Sequence, residues 1–388
     1  MKSAILVGSF VMAVAAALVL ATTQPNRPVV VLPPMSSAPG DQVVSRSALV
    51  DDQGAVVIES TGSGATLIGL RRHGGLAWRR TLPADVAALT CSGCPRFVAG
   101  DRNGQLLLVD GTHLTPLGRP SEPIDRTGGL PGFGPNASRP LWSTRPDGKV
   151  RLRLLAGDLS DALARPGIQI PLSEAQEADS YVAVSADGRR ALAVSGIDAL
   201  RAGQRRVMQV QDSRVVVAAD IPVTLSNLDD PVAPSGCIAD DGSSAAALLP
   251  DGAHLSLLQM RWGEHAGHAL TLPVRVYRNG LAAHCLFTTH GIVVYGQDST
   301  DDTVIDIARI TANKLPEISR VSAKNVIGLQ GCPDSTVVMR LGSGIVVARA
   351  GKSPKRYAGS DGGCTSKGTV WILGKRSVTW VPSPNQGR

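Results

Sequence analysis

The first residues that suggest chemistry are two cysteines two residues apart, Cys91 and Cys94 in the stretch CSGCP. This spacing occurs in redox pairs, in zinc sites and in small disulfide loops. A redox pair needs its first cysteine at a helix N-terminus, where the dipole lowers the thiol pKa, whereas a strand-like run follows Pro95. A zinc site needs further ligands, and the nearest histidines, His265 and His268, do not supply a second matching pair. The choice therefore depends on the other cysteines and on the compartment.

Other reactive side chains form no catalytic pattern. His284 precedes Cys285, but neighbouring residues on a strand point to opposite faces, so this histidine cannot readily activate the thiol. Acidic residues at 298–302 and 228–231 could ligate calcium, and turn formation explains them equally. The chain contains no G-x-S-x-G, H-E-x-x-H or phosphate-loop motif. We therefore predict no catalytic residue, no metal site and no cofactor.

An export signal begins the chain, because the lysine at position 2 precedes an uncharged apolar run from Ser3 to Ala21. Such a run sends the following residues across a membrane. It is long enough to stay as a single-pass anchor, and the small residues Val19 and Ala21 also suit removal by signal peptidase. The rest of the protein is thus predicted to be extracytoplasmic, either at the cell membrane or secreted.

Composition divides the remainder into three parts. Residues 22–46 contain five prolines and are predicted to form an extended stalk, 47–382 the folded domain and 383–388 a polar tail. No second apolar run of about 18 residues follows, so the chain crosses the membrane at most once. The net charge of +7 is scattered over many arginines, and only 3% of residues are aromatic. This composition argues against nucleic-acid binding and is compatible with weak attraction to anionic lipids or acidic glycans.

The folded domain repeats a short pattern of strands and turns. Runs of Val, Ile, Leu and Thr end at Gly, Asp, Ser or Pro about every ten residues, which is typical of β-structure. We count eight such units over residues 47–382, each of about 42 residues, the length that four strands with their turns require.

The cysteines follow this repeat. Cys237, Cys285 and Cys332 are 48 and 47 residues apart, and Cys364 follows after 32. Together with Cys94, they occupy the same place in different units, close to the predicted innermost strand.

These spacings favour disulfides over redox or zinc chemistry, because six cysteines in an exported protein usually pair. Six cysteines allow fifteen pairings. The preferred set is Cys91–Cys94, Cys237–Cys285 and Cys332–Cys364, and the alternative joins Cys91 or Cys94 to the C-terminal units.

The last unit has only two clear strands before the tail. Its missing outer strand could come from the N-terminal side, either from residues 28–33 or from residues 41–50. Such pairing would join the two ends of the domain and leave no exposed strand edge at that position.

The turns SADGRR at 185–190 and LPDGAH at 249–254 resemble the Asp-Gly turns of WD40 proteins, and GGLAWRRTLP at 74–83 resembles the Gly/Trp strand of quinoprotein-like repeats. The chain is thus similar to the β-propeller superfamily. This resemblance implies an all-β propeller of eight, alternatively seven, four-stranded blades behind the N-terminal signal or anchor.

Three functions are compatible with these features. The favoured one is a monomeric propeller scaffold that binds another extracytoplasmic or membrane protein, or an envelope component, through its loop-bearing face. The segments 125–138 and 198–206 would decorate that face. The alternatives are a propeller enzyme (a hydrolase, lyase or quinone-dependent dehydrogenase) with its site at the channel mouth, and a sensor that acts through a membrane partner.

Overall fold

The computed structural model is built from β-strands throughout the part of the chain that it describes. The described residues are 29–31, 43–50, 52–61, 64–82, 86–90, 96–101, 106–110, 113–118, 141–144, 150–154, 168–170, 181–185, 190–195, 204–211, 214–222, 234–251, 254–264, 270–275, 283–298, 301, 303–312, 314–365 and 367–381. The predicted anchor, residues 1–21, and the predicted tail, residues 383–388, lie outside these ranges. Among the described residues, no helix of sufficient length and apolarity to cross a bilayer was found.

In chain order the strands are β1 Val29–Val31, β2 Val43–Val50, β3 Gly54–Thr61, β4 Gly64–Arg71, β5 Leu76–Leu82, β6 Val86–Thr90, β7 Arg96–Asp101, β8 Leu106–Asp110, β9 His113–Gly118, β10 Leu141–Thr144, β11 Val150–Leu154, β12 Ile168–Ile170, β13 Tyr181–Val184, β14 Arg190–Val194, β15 Gln204–Gln211, β16 Arg214–Pro222, β17 Ser235–Ile238, β18 Ser244–Asp251, β19 His254–Arg261, β20 Leu270–Arg275, β21 His284–Thr288, β22 Gly291–Gln297, β23 Val304–Ile310, β24 Glu317–Ser322, β25 Val326–Gly331, β26 Thr336–Leu341, β27 Gly344–Arg349, β28 Lys352–Tyr357, β29 Asp361–Cys364, β30 Val370–Leu373 and β31 Ser377–Val381.

Consecutive strands pair antiparallel, and the described strands form eight sheets. We number the sheets in chain order: sheet 1 is β2–β5, sheet 2 β6–β9, sheet 3 β10–β12, sheet 4 β13–β16, sheet 5 β17–β20, sheet 6 β21–β24, sheet 7 β25–β28 and sheet 8 β29–β31 with β1. The prediction of an all-β repeat is confirmed. In sheet 7 the second strand β26 is almost fully buried, whereas the fourth strand β28 is almost entirely exposed.

Turn chemistry explains why the strands stop where they do. Between β17 and β18, the Asp241 carboxylate accepts hydrogen bonds from the Ser243 amide at 2.9 Å and the Ser243 hydroxyl at 2.7 Å. Gly242 between them has a φ of +68°, a left-handed conformation that glycine adopts at little cost. Such Asp-Gly-Ser sequences compete with strand pairing and so end the strands sharply.

Neighbouring sheets pack face to face through apolar side chains. Separate buried clusters join sheets 4 and 5, 5 and 6, 6 and 7, and 7 and 8. Sheet 8 then packs against sheet 1, where the fully buried Trp380 lies among residues such as Val57 and Ile68. Each fully buried Val, Leu or Ile contributes about 1.5–3 kcal/mol, so these clusters supply most of the cohesion between sheets.

The N-terminal side completes the last sheet, as the sequence predicts. Val29, Val30 and Val31 of β1 pair antiparallel with Thr379, Val378 and Ser377 of β31. Of the two segments proposed for this role, the one at 28–33 is used, and 41–50 instead supplies β2.

The spacer and the start of the repeat therefore differ from the expectation. Residues 29–31 and 43–46, which fall in the predicted 22–46 stalk, are strands. The predicted repeat began at residue 47, whereas sheet 1 begins with β2 at Val43. The reason is that VVSRSALV follows a Pro-rich stretch and lacks regular alternation of polar and apolar residues, so only its pairing with β3 distinguishes it from a spacer.

The chain direction defines two ends of each sheet. At one end, which we call face I, the chain turns from the first strand to the second and from the third strand to the fourth. The opposite end is called face II. Equivalent turns of adjacent sheets meet on face I, because Thr365 donates to the Asp52 carboxylate at 2.9 Å and Ser335 donates to the Thr288 hydroxyl at 3.2 Å. On face II, Ser235 donates to the carbonyl of Ala283.

Candidate binding surfaces

Two disulfides connect the first strands of adjacent sheets. Cys237 bonds to Cys285 between sheets 5 and 6, with a Cα separation of 5.6 Å, and Cys332 bonds to Cys364 between sheets 7 and 8, with 5.8 Å. These are two of the three pairs preferred from the sequence. All four cysteines lie in or directly beside first strands, as their common spacing predicts.

The stretch CSGCP lies outside the described residues. It occupies the connection between β6, which ends at Thr90, and β7, which begins at Arg96. This connection corresponds to the one that contains Cys332 in sheet 7. The pairing of Cys91 with Cys94 stays a prediction.

His284 and Cys285 lie on opposite faces of β21, which confirms the expectation. The ring of His284 lies 5.4 Å from that of Tyr295, whose hydroxyl accepts the Gly331 amide of sheet 7 at 2.8 Å. Cys285 turns the other way, toward sheet 5. Burial lowers the pKa of His284, since the charged imidazolium loses hydration there. The histidine is part of the packing between sheets 6 and 7.

The acidic stretch at 298–302 divides into two environments. Asp301 is exposed, and hydrogen bonds from the Thr303 hydroxyl and amide lower the pKa of its carboxyl group. Asp298 is buried and lies 3.6 Å from Arg320, which is also 3.2 Å from the fully buried Asp306. The sequence did not predict this ion pair, because Asp306 and Arg320 meet only through the pairing of β23 with β24. The stretch at 228–231 and the pair His265 and His268 lie outside the described residues.

A polar contact links three sheets close to the innermost strands. The Asp361 carboxylate lies 3.3 Å from the Arg340 guanidinium of sheet 7 and accepts the Ala48 amide of sheet 1 at 3.3 Å. Gly328 of β25 allows this arrangement, since a Cβ there would stand 2.4 Å from an Arg340 nitrogen. The contact positions the first strands of sheets 7, 8 and 1 relative to one another.

An exposed isoleucine lies beside this contact on face II. Ile327 is the extra residue of a β-bulge, because Val326 pairs with Leu341 whereas Gly328 pairs with Arg340. Bulges commonly redirect a side chain out of the sheet. Ile327 is 64% exposed, whereas the other residues of its strand are buried or partly buried. This large apolar side chain at the innermost strand is a candidate contact for a partner.

A second apolar surface lies on face I. Of the seven exposed large hydrophobic side chains among the described residues, six lie at the face I end of a fourth strand or in the turn before it. They are Leu76 in sheet 1, Val215 and Val217 in sheet 4, Leu270 in sheet 5, and Leu315 and Ile318 in sheet 6. We call this set the face I rim. Leu315 is 90% exposed and Leu76 is 50% exposed.

Cations accompany the rim, mostly in the sheets next to β1. Exposed basic residues at its turns are Arg71 in sheet 1, Arg214 in sheet 4, Arg261 in sheet 5, Lys314 in sheet 6, Lys352 in sheet 7 and Lys367 in sheet 8. The exposed acids Asp240, Asp241 and Glu264 are confined to sheet 5, and Glu317 of sheet 6 pairs with Arg309. Across sheets 6, 7, 8 and 1, face I therefore presents apolar side chains from sheets 6 and 1 and exposed cations from all four sheets.

Comparison with known proteins supports the fold and goes no further. No protein-family model matches the sequence, and no curated protein matches it significantly. Among solved structures, the computationally designed protein Ika8 aligns over 92% of this chain and 100% of its own, with a TM-score of 0.51 and 13% identity. The WD40 domain of coronin from Toxoplasma gondii aligns over 88% of this chain and 82% of its own, with a TM-score of 0.45 and 10% identity.

A prolyl endopeptidase structure aligns over 82% of this chain, with a TM-score of 0.49 and 10% identity. The chain spans about half, 50%, of the length of that structure. Sequential antiparallel strands within the sheets, the packing of sheets 4 to 8 one on the next and the packing of sheet 8 on sheet 1 define the class of fold. The chain is a β-propeller protein, as its repeats suggest.

Proposed function

We propose that this protein is a single-pass, membrane-anchored extracytoplasmic scaffold whose eight sheets are the eight blades of one closed ring. Residues 3–21 supply the anchor, and residues 22–28 connect it to β1. Two observations support an extracytoplasmic location: the apolar run behind Lys2, and disulfides between adjacent sheets, which persist in oxidising compartments.

The face II surface around Ile327 is the proposed docking site for a protein partner. The observation behind this proposal is that the Ile327 side chain is 64% exposed on a first strand, next in sequence to Gly328, whose strand partner Arg340 lies 3.3 Å from the Asp361 carboxylate. An apolar residue with a polar surround is the usual composition of an interface centre.

Two strand ends point to further contributors at the same face, since β14 ends and β15 begins on face II, and β9 also ends there. The segments that follow β9 and β14, 125–138 and 198–203, lie outside the described residues and are proposed to extend this docking site. Loops on a rigid scaffold are the common location of binding residues. The partner is another extracytoplasmic or membrane protein of the envelope.

Site-specific photocrosslinking in intact cells tests this proposal. A photoreactive phenylalanine analogue at Ile327 is expected to crosslink one defined polypeptide, and the same analogue at Val217 of β16 serves as the matched exposed control. With the analogue placed instead at the exposed neighbouring position Lys324, loss of the crosslink on Ile327→Ser would assign the contact to this surface. Equal crosslinking from both positions, or none from Ile327, would contradict the proposal.

A further inference from the structure

The position of β1 determines which face of the propeller lies toward the anchor. β1 occupies the fourth-strand place of sheet 8 and runs antiparallel to β31, which ends on face I. Val29 therefore lies on the face I side, and the chain before it leaves from that side. Seven residues, 22–28, separate Val29 from the end of the apolar run, and at about 3.3–3.6 Å each they reach at most about 25 Å.

This short connection brings the apolar and basic part of the rim close to the bilayer. Sheets 6, 7, 8 and 1 pack successively, so their turns lie on both sides of β1. Leu315 and Lys314 belong to the turn before β24, and Leu76 and Arg71 flank the turn before β5.

The outer strands of sheets 6 and 7 are held side by side at this position. The Gly351 amide donates to the Ser319 hydroxyl at 2.7 Å, and Arg356 donates to the carbonyl of Ser322 at 2.9 Å. Lys352, at the face I end of β28, is thereby fixed next to the turn that carries Leu315. The two residues form part of one continuous surface.

We propose that the face I ends of sheets 6, 7, 8 and 1, with the rim residues of sheets 6 and 1, rest on a bilayer surface that contains anionic lipid. Leu315 and Leu76 enter the headgroup region, and Lys314, Lys352 and Arg71 contact lipid phosphates. This combination of apolar side chains and flanking cations is the one that binds membrane interfaces. Each cation at an anionic surface strengthens binding about fivefold. The proposal rests on the anchor proposed above, and it leaves face II directed away from the membrane.

Fluorescence quenching in vesicles tests the contact. The full chain is reconstituted into vesicles of phosphatidylcholine and phosphatidylglycerol in equal parts, with lipids brominated on their acyl chains. Tryptophan is introduced by Leu315→Trp on face I or by Ile327→Trp on face II, two exposed positions in the same tryptophan background. Quenching of the added fluorescence is expected for Leu315→Trp and not for Ile327→Trp.

Charge variants test the lipid chemistry. In the Leu315→Trp chain, combining Lys314→Gln, Lys352→Gln and Arg71→Gln is expected to weaken binding of face I to the bilayer about fivefold per cation removed, and so to reduce the quenching. The matched control removes two exposed face II lysines, Lys324→Gln and Lys375→Gln, and is expected to leave quenching unchanged.

The outcomes separate the rim from the anchor. Vesicle flotation without quenching at either position would overturn rim docking while the anchor stands. Failure of the full chain to float would overturn the anchor and the rim proposal with it. Protection of the rim from hydrogen exchange in native membranes, without quenching in lipid vesicles, would assign the rim to a protein partner and overturn the lipid assignment.

Discussion

At the residue scale, one buried ion pair contributes to the junction between the first and last sheets. Arg46 lies 2.5 Å from Glu59 within sheet 1, and it also donates to the carbonyl of Lys375 in sheet 8. The two side chains are only 14% and 5% exposed.

Replacing Arg46 with methionine is expected to lower the free energy of unfolding by about 3 kcal/mol, because Glu59 would keep its burial without the cation. Urea denaturation at neutral pH measures this change. The control is Arg206→Met, which removes an exposed pair with Asp220 at 2.8 Å and is expected to cost less than about 1 kcal/mol. Equal costs for the two variants would show that burial does not govern the pair.

His284 predicts a dependence of stability on pH. Burial lowers its pKa below the ordinary value of 6.5, so the unfolded chain binds a proton at higher pH than the folded chain does. This contribution to stability is complete above pH 6.5 and is lost as the pH falls from 6.5 through the lowered value.

We therefore expect the free energy of unfolding to fall less in His284→Gln than in the unmodified protein when the pH is lowered from about 7.5 to below the lowered pKa of His284. Urea denaturation at each pH measures this difference. The matched variant His290→Gln removes a histidine from an exposed turn and is expected to leave the pH dependence as it is. A parallel pH dependence in His284→Gln and the unmodified protein would contradict the assignment.

At the element scale, the disulfides act between first strands that are short. β17 and β29 have four residues each, so their pairing within a sheet contributes few hydrogen bonds. A covalent bond across 48 residues, or across 32, restricts the unfolded chain and holds adjacent sheets together.

Replacing both cysteines of either pair with alanine is expected to lower the free energy of unfolding by about 2–4 kcal/mol. Denaturant titration without reductant gives the value for each double variant. The double variant of Cys91 and Cys94 would open only a very short loop and is expected to cost less. If reductant destabilises the variant lacking all four paired cysteines as much as it destabilises the unmodified protein, these disulfides do not provide the stability.

At the scale of the whole molecule, β1 closes the domain by joining residues at opposite ends of the sequence. Without it, β31 would present an unpaired edge, which invites aggregation. The triple variant Val29→Gly, Val30→Gly and Val31→Gly is expected to increase hydrogen exchange in β31, because glycine weakens strand pairing.

Peptide-resolved mass spectrometry of the full chain measures this exchange. Val215→Gly with Val217→Gly, which weakens the fourth strand of sheet 4, is the control and is expected to leave β31 protected. Protection of β31 in both variants would mean that β1 contributes nothing to closure.

The two surfaces proposed for binding also belong to this scale. Face I carries the rim and the start of β1, whereas face II carries Ile327. An anchored propeller in this orientation would hold its docking site away from the bilayer at a fixed distance, which suits a scaffold.

Sequence alone determined the features that depend on local pattern and spacing. The strand-turn period predicted the all-β repeat, because each antiparallel strand pair needs its own turn chemistry. The common spacing of Cys237, Cys285, Cys332 and Cys364 predicted the two disulfides, since equivalent positions in adjacent repeats lie close together. The apolar segment at 28–33 predicted the closing strand as one of two alternatives.

Tertiary structure decided the features that depend on which distant strands become neighbours. The pairing of the buried Asp306 with the exposed Arg320 follows from strand register, and the exposure of Ile327 follows from a bulge; a single-residue shift would reverse both. The residues of the face I rim belong to four sheets and are far apart in the sequence. They are of the same residue types as the core, so the sequence does not distinguish them from buried residues. Only the direction of each strand, and the packing of one sheet on the next, places them together at one edge in solvent.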